Sequence, residues 1–571
     1  MKRTVAIGKQ SFAAIREENC FYIDKTSFIR EWWESKDDTT LIARPRRFGK
    51  TLNLSMIENF FSNKYAGRGD LFEGLSIWEE EKYRALQGSY PVINLSFARV
   101  KEESYENCRG KLCEILRNAY GEYTFLREGS FLETGERKYF ESMMLEDGRG
   151  RDSDITSSLY HLSNLLHRYY GKKVIILLDE YDTPMQEAYV HGYWKEIVSF
   201  TRSLFSSTFK TNPYLERALM TGITRVSKES IFSDLNHLKV VTTTSEKYAT
   251  SFGFTEEEVF KALEECGLSK EKEKVKAWYD GFIFGKVKEI YNPWSIINFL
   301  STEKYEPYWA NTSSNGLVSK LLQKGNRKVK ASFEQLLEGK SIHCILDEQI
   351  VFSQLEEEEE AIWSLLVASG YLKILSYVPE DEAGEDEVMY EIAITNYEVR
   401  RMFRTMVRSW FGRAKADYSD FITALLQKDL EAMNEYMNRV TKQVFSYFDM
   451  AGKEEEEPER FYHGFVLGLL VDTAKEYTIT SNRESGFGRY DIVMKPKKEG
   501  LSAMIIEFKV FNPRREKTLE DTLKAALTQI EEKQYEAVLL AEGIEKDRIR
   551  KYGFVFQGKK VLIGEYPLPT F

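Results

Sequence analysis

The chain is short of proline and cysteine, and it has no long apolar run. Twelve prolines in 571 residues, with no extended Gly/Ser/Pro tract, exclude a collagen-like or largely disordered chain. Five cysteines (Cys20, Cys108, Cys113, Cys266 and Cys344) are too few and too scattered for a disulfide scaffold or a zinc ribbon. Cys108 and Cys113 fall in a helical stretch with no histidine pair beside them, so reduced thiols and a cytoplasmic location are expected. No run of ~18 apolar residues occurs, and the basic start MKRTVAIGKQSFAAIREENC leads into no apolar segment. The expectation is a protein neither secreted nor membrane-spanning. An excess of positive charge is missing too: 80 Lys and Arg stand against 90 Asp and Glu, a net −10. This excludes a whole-protein field that coats nucleic acid, and confines any such contact to a local basic cleft.

What is present builds packed cores: 42% of residues are hydrophobic and 14% aromatic. The length, about four times a ~150-residue domain, predicts two to four domains. Thr39–Ala43 reads as a buried strand, followed by Arg44-Pro45-Arg46-Arg47-Phe48-Gly49-Lys50-Thr51 and a helix with apolar residues at 52, 56, 57, 60 and 61. Further strands are expected at 91–97, 173–178 and 215–223, the one at 173–178 uniformly apolar, as a strand buried on both faces should be. Residues 1–254 therefore read as an α/β domain with a mostly parallel sheet.

Residues 255–450 read as mainly helical, broken by the turn signals Trp278-Tyr279-Asp280-Gly281-Phe282 and Tyr291-Asn292-Pro293-Trp294-Ser295. Residues 365–395 suggest a small winged-helix-like unit, with a hairpin of 371–378 and 388–394. The acidic stretches 356–360 and 380–387 read as a helix start and a solvated hairpin tip. Lys453 to Pro458 marks a linker or helix start. Beyond it, 451–571 reads as a second α/β domain: a helix from Glu459 to about Thr473, strands at 477–481, 489–494 and 503–510, a helix at 516–533, then strands at 537–540 and 561–563. Residues 458–571 carry 19 basic against 17 acidic residues, so the acidity lies upstream.

Gly49-Lys50-Thr51, after a strand and opening a helix, has the chemistry of a phosphate-binding loop. Lys50 would meet the β- and γ-phosphates, and the Thr51 hydroxyl would ligate Mg²⁺. The full pattern G-x-x-x-x-G-K-[ST] asks for glycine at position 44, where this chain has Arg44. The apolar strand ending in Asp179-Glu180 strengthens the reading, with Asp179 on the ion's water shell and Glu180 polarising the attacking water. Asp179-Glu180 alone would also suit a helix cap. Thr221 at the end of the fourth strand suits a sensor of the γ-phosphate, with Thr224 and Arg225 as alternatives and ordinary strand-end bonding an equal reading.

A second constellation lies downstream. Asp491 sits on one expected strand and Glu507-Phe508-Lys509 on the next, with 15 residues between the carboxylates and Gly500 in the turn. Residues i and i+2 of a strand share a face, so Glu507 and Lys509 point one way while Ile506 and Phe508 face a core. Asp491 and Glu507 from neighbouring strands can clamp one Mg²⁺, and Lys509 beside them can orient or deprotonate a water for attack on a phosphodiester. Taken bare, the pattern also describes a charged, exposed strand face. Asn512-Pro513-Arg514-Arg515-Glu516-Lys517, with Lys495, Lys497 and Lys498, forms the best local basic patch; solvated loop charge explains it equally well.

Residues 21–26, 44–51, 179–184, 221–227, 278–282, 291–295 and 309–313 closely resemble the bacterial AAA-ATPase-like proteins fused to a PD-(D/E)XK nuclease-like domain. The resemblance covers almost the whole chain. It implies a P-loop NTPase with a mostly parallel sheet, a helical middle region and a smaller C-terminal α/β restriction-endonuclease-like domain. Arginine is usual at position 44 in that family, which implies an atypical loop and not a dead one. The implied nucleotide-binding set is Arg46, Arg47, Gly49, Lys50, Thr51, Asp179 and Thr221, with ATP and Mg²⁺ as cofactors. The resemblance further implies that Glu459 assists metal or water and that Gln529 bridges the nuclease site to DNA; His463 would be a neighbouring group or a core residue. The family pattern has proline before Asn396, where this chain has Thr395, a departure at a structural turn. The expected function is ATP binding and hydrolysis coupled to Mg²⁺-dependent cleavage of DNA. The alternative is a nucleotide-dependent switch that binds nucleic acid or a protein without cutting. Further copies of the chain or another protein are left open as partners.

Overall fold

A computed structural model describes residues 4–145, 150–224, 232, 237–310, 316–325, 327–347, 355, 359–378, 388–410, 418–444, 466, 470, 473, 476–485, 488–498, 500–513, 515–557 and 560–566. Expectations at Arg225, 380–387, the 453–458 linker, Glu459, His463 and Arg514 lie outside the described residues. The chain divides into two compact units, 1–403 and 404–571, and the division falls within the helix Tyr397–Trp410. No described helix is long and apolar enough to cross a membrane. No disulfide joins the five cysteines.

In the first unit, β1 (Thr39–Ala43), β2 (Val92–Ser96), β3 (Val174–Asp179), β4 (Leu215–Gly222) and β5 (Leu238–Val241) form one parallel sheet in the order β2-β3-β4-β1-β5. Every residue of β1 and β3 is buried, the signature of strands covered by helices on both faces. The order matters for function, because β4 lies between the strand that feeds the glycine loop and the strand that ends in Asp179. Beyond this sheet the unit is helical, interrupted by two small antiparallel sheets. One comprises β6 (Phe254–Thr255), β7 (Phe282–Phe284) and β8 (Val287–Tyr291). The other joins β9 (Ile342–Ile345) to the hairpin of β10 (Leu372–Val378) and β11 (Met389–Ile394).

The second unit holds a five-stranded mixed sheet in sequential order: β12 (Tyr477–Ser485), β13 (Gly488–Pro496), β14 (Ala503–Val510), β15 (Ile549–Gln557) and β16 (Lys560–Glu565). Alternation along β14 splits the core in two. Met504, Ile506 and Phe508 pack with Phe421, Leu425 and Met433 of the helices Tyr418–Gln427 and Leu430–Val444. Ala503 and Ile505 pack with Leu523, Leu527 and Ile530 of the helix Leu519–Glu532. That helix carries the chain from β14 to β15, which pair in parallel and so require a crossover. The exposed edge of β16 is closed by two asparagines one helical turn apart. Asn434 exchanges hydrogen bonds of 2.8 and 2.9 Å with the backbone of Ile563, and Asn438 bonds of 2.9 and 2.7 Å with that of Val561.

Two features depart from the sequence reading. Ala537–Ala541 is a short helix, where a strand was expected at 537–540; an apolar run of four residues does not distinguish the two by periodicity. The strand beside β14 is instead Ile549–Gln557, concealed by its charged residues. Lys551 is buried because its ammonium sits between the carboxylates of Glu531 and Glu536, while Arg550 donates to the carbonyl of Leu426 at 2.9 Å. Gly553 lies under the crossover helix, where a Cβ would stand 2.7 Å from Leu523.

Lys551→Ala leaves the buried Glu536 carboxylate with only the exposed Lys546, 3.5 Å away, as a cation. It is expected to destabilise the second unit by about 3 kcal/mol, read as a lower urea midpoint at unchanged slope.

Candidate functional sites

The glycine loop turns later than its pattern would suggest. The Arg44 N–H donates to the carbonyl of Gly222 at 3.2 Å, so residue 44 still continues the β1–β4 ladder. The chain reverses at Arg47 and Gly49, whose φ values are 64° and 79°. Glycine is therefore needed at 49, and not at 44. The Arg44 side chain is fully buried, donating to the carbonyls of Thr242 (2.5 Å) and Lys247 (3.4 Å) with its guanidinium 4.1 Å from the Phe284 ring. Burial with carbonyls in place of a carboxylate pushes its pKa down to about 9. Among the described residues, the N–H groups of Arg46, Arg47, Phe48 and Gly49 donate to no protein acceptor. Together with the open first turn of the helix Lys50–Phe61, they form a concave row of donors suited to an anion.

The Lys50 ammonium is buried and donates to the carbonyls of Arg44 (2.8 Å) and Pro45 (2.7 Å). Burial lowers its pKa to about 8, against the opposing pull of Glu180, Asp179 and Asp182. The Thr51 hydroxyl donates to Asp179 Oδ2 at 2.7 Å, and the Thr221 hydroxyl donates to Asp179 Oδ1. Strand order explains the meeting, since Thr221 ends the strand between β1 and β3. The same Thr221 oxygen accepts the Glu180 N–H at 3.3 Å. Glu180 adopts φ 52°, and its carboxylate accepts from Thr183 Oγ1 at 3.3 Å. Asp182 takes the N–H groups of Ile223 and Thr224, both at 2.9 Å, and the Thr224 hydroxyl at 3.0 Å, which makes Thr224 a brace for the following turn. Gly222 is obligatory here, because a Cβ would stand 2.6 Å from the Tyr181 ring and 2.8 Å from Asp182. Oxygen donors from Thr51 and Asp179 are the hard ligands that suit Mg²⁺.

Residues that sequence reasoning left without a role grip the loop from outside the parallel sheet. The Arg46 carbonyl accepts the Trp309 indole N–H at 2.9 Å and the Asn292 amide at 3.3 Å. The Arg46 side chain donates to Gln186 Oε1 at 3.3 Å, and the Arg47 guanidinium lies 4.5 Å from the Trp294 ring. Trp309 is itself held by the buried Glu398, whose carboxylate accepts the Trp309 N–H at 2.6 Å, the Ala310 N–H at 3.4 Å and the Ser295 hydroxyl at 2.8 Å. Burial outweighs these bonds and raises the Glu398 pKa to about 7. Phe48 packs edge-on against Phe282 and Phe284. Lys25 joins Glu258 at 2.6 Å and the Thr250 carbonyl at 2.7 Å. Of the residues that hold the loop and its supports, Lys25, Phe282, Asn292, Trp294, Ser295, Trp309 and Ala310 lie in stretches that were legible only as turns or family signature.

In the second unit, the β13–β14 ladder pairs Ile492 with Ile506, and the next step of that register sets Asp491 against Glu507. Instead of a further ladder bond, Asp491 Oδ2 accepts the Phe508 N–H at 2.7 Å. Glu507 and Lys509 share the face of Ile505, beneath the helix Leu519–Glu532. Gln529 of that helix joins them: its carbonyl oxygen accepts from Lys509 Nζ at 2.7 Å, and its amide donates to Glu507 and to the Tyr535 hydroxyl (3.0 Å). Glu507 is buried, while Asp491, Lys509 and Gln529 are half-buried. The structure thus brings Asp491, Glu507, Lys509 and Gln529 together, and the carboxylate pair offers the oxygen donors of a divalent-ion site. Tyr535 joins this group although sequence reading gave it no role. Of the basic patch, Arg515 and Lys517 are exposed, but Lys495 and Lys498 pair with Glu542 (2.8 Å) and Glu476 (3.2 Å).

Two outcomes follow from the first site. Arg44→Gly, which restores the usual pattern, is expected to cost about 2 kcal/mol through lost buried hydrogen bonds and added unfolded-chain entropy. It should not tighten binding of a fluorescent ATP analogue; thermal melts and titration check both. Glu398 binds its proton more tightly folded than unfolded, so its contribution is greatest below pH 4.5 and is lost as pH rises through about 7. Glu398→Gln should remove a pH-dependent loss on the order of 3 kcal/mol, seen as a flatter melting-temperature profile between pH 5 and 8.

Comparison with known sequences agrees with this geometry. Residues 6–232 match the family described as Predicted AAA-ATPase, and residues 457–566 match the PD-(D/E)XK nuclease superfamily. A curated relative from Azotobacter chroococcum mcd 1, named as an uncharacterized protein in the vnfD 5' region, is 25% identical over 375 residues. The match covers 65% of this chain and 64% of the relative, so the chain spans just under two-thirds of that relative's length. One polypeptide therefore carries an AAA-ATPase-like domain followed by a domain of the PD-(D/E)XK nuclease superfamily.

Proposed function

We propose that the chain binds and hydrolyses ATP in its first unit and cleaves DNA with Mg²⁺ in its second. The observation that carries the reading is the bonding of Asp179 to Thr51 and Thr221 at the mouth of a loop whose N–H groups are open to phosphate. In this reading Lys50 leaves the loop carbonyls for the β- and γ-phosphate oxygens. Thr51 and Asp179 hold Mg²⁺, and Glu180 orients the attacking water. Thr221 registers the γ-phosphate through Asp179. Arg46 and Arg47 flank the phosphates.

At the second site, Asp491 and Glu507 would hold the divalent ion, which when bound neutralises a phosphate oxygen and acidifies a coordinated water. Lys509, tethered by Gln529, orients that water and meets charge developing on the phosphoryl oxygens. Glu459 keeps the assisting role that the family resemblance implies, and Arg515 and Lys517 contact the backbone phosphates. ATP influences cleavage only through a conformational step, because phosphoryl transfer in one domain has no chemical route into the other.

The test is plasmid cleavage with Mg²⁺ or Mn²⁺, with and without ATP, on wild type, Lys50→Ala and Lys509→Ala. Lys509→Ala is expected to reduce cutting at least ~100-fold, and Lys50→Ala to abolish ATP hydrolysis together with any effect of ATP on cutting. Cutting that persists in Lys509→Ala overturns the nuclease site. ATP binding with no cleavage of any DNA or RNA favours a non-cleaving switch.

A further inference from the structure

We propose that Trp309 and Asn292 are positioning residues for the nucleotide: by holding the Arg46 carbonyl they fix the loop in its phosphate-receiving form, with Glu398 setting Trp309 in place. The inference rests on the nucleotide reading above and concerns how that site is kept in shape. A trans peptide is planar, so its C=O and the following N–H point in opposite directions. Gripping the Arg46 oxygen from the side of Trp309 and Asn292 therefore turns the Arg47 N–H the other way. Arg47 is also the residue at φ 64°, a conformation that a non-glycine side chain resists. A loop held only by its own sequence would relax at that position. The two external donors, with Trp294 beneath the Arg47 guanidinium, oppose the relaxation from both ends of the residue.

The three carbonyls of this turn are divided between two holders. Those of Arg44 and Pro45 accept from Lys50, which must let go to meet phosphate; that of Arg46 accepts from Trp309 and Asn292. When Lys50 is released, the grip on the Arg46 carbonyl is kept. The holders are themselves built for rigidity. Asn292 uses its other amide atom to cap the helix Pro293–Thr302, accepting from Trp294 and Ser295 at 2.9 and 3.2 Å. Trp309 is almost fully buried, and Glu398 fastens its backbone to Ser295 of that same helix.

The variants separate this role from packing. Trp309→Phe keeps a buried ring and removes the N–H; Asn292→Ser keeps a neutral side-chain oxygen for the helix cap and removes the amide donor. In the full chain with Mg-ATP, each should raise Kd and KM about 5-fold, and the pair about 20-fold, the scale of one and two lost hydrogen bonds. The turnover number should change less than about 2-fold, and the loss of affinity should exceed what any fall in the nucleotide-free melting temperature accounts for. Glu398→Ala should follow the pair, and Glu398→Gln, which can still accept from Trp309, should recover most of the affinity. Unchanged Kd in the double variant, or a loss of affinity that merely tracks a fall in melting temperature, overturns the proposal. Loss of binding in Lys50→Ala alongside unchanged binding in the double variant defeats the positioning role alone. A wild-type chain that binds no nucleotide defeats the underlying reading with it.

Discussion

The carboxylate of Asp179 is where three separate strands of the first unit are brought to one point. Thr51 reaches it from the helix that follows β1, Thr221 from the end of β4, and Asp179 itself ends β3. The meeting depends on β4 lying between the other two strands, and that order is a property of the whole sheet. Every other functional feature of the unit is arranged around this point. The open N–H groups precede it, Glu180 follows it, and Asp182 and Gly222 shape the turn on its far side. A parallel sheet buried on both faces is rigid enough to hold such an arrangement.

Much of this was legible because it depends on local pattern. The strands at Thr39–Ala43 and Val174–Asp179, the helix after Gly49-Lys50-Thr51 and the acid pair at a strand end all announce themselves within a dozen residues. Thr221 is the sensor candidate the sequence offers first, with Thr224 and Arg225 as alternatives; in the fold Thr221 bonds Asp179 and Thr224 bonds Asp182. Arg44 looked like a defect because the pattern assigns the turn to that position, whereas the backbone places it at Arg47 and Gly49. What was illegible is long-range. Trp309 and Asn292 meet Arg46 across more than 240 positions of sequence, and nothing in a tryptophan or an Asn-Pro turn says which carbonyl it will find.

The second unit shows the same limit in another form. Alternation identified β13 and β14 and put Glu507 and Lys509 on one face, since a period of two survives in any strand. It missed β15, whose Arg550 and Lys551 break the apolar pattern. Their partners, Glu531, Glu536 and a helix carbonyl, lie elsewhere in the chain. It also misread Ala537–Leu540, which is apolar without being a strand. A buried charge hides a core strand from sequence reading, and a short apolar run can imitate one.

The two candidate sites solve one electrostatic problem in one way. A carboxylate meant for a metal ion must be held still without losing its negative charge, and a direct lysine or arginine contact would cancel that charge. In the first unit, Asp179 is held by two hydroxyls while Lys50 is kept on backbone carbonyls. In the second, Gln529 stands between Glu507 and Lys509, donating to one and accepting from the other, while Asp491 is fixed by the N–H of Phe508. Neutral donors supply orientation, with no lysine or arginine ion pair to these acids among the ion pairs of the described residues. Under the proposed function, a chain whose net charge is −10 would still meet polyanions at two places, because metal held by these acids would be what faces phosphate.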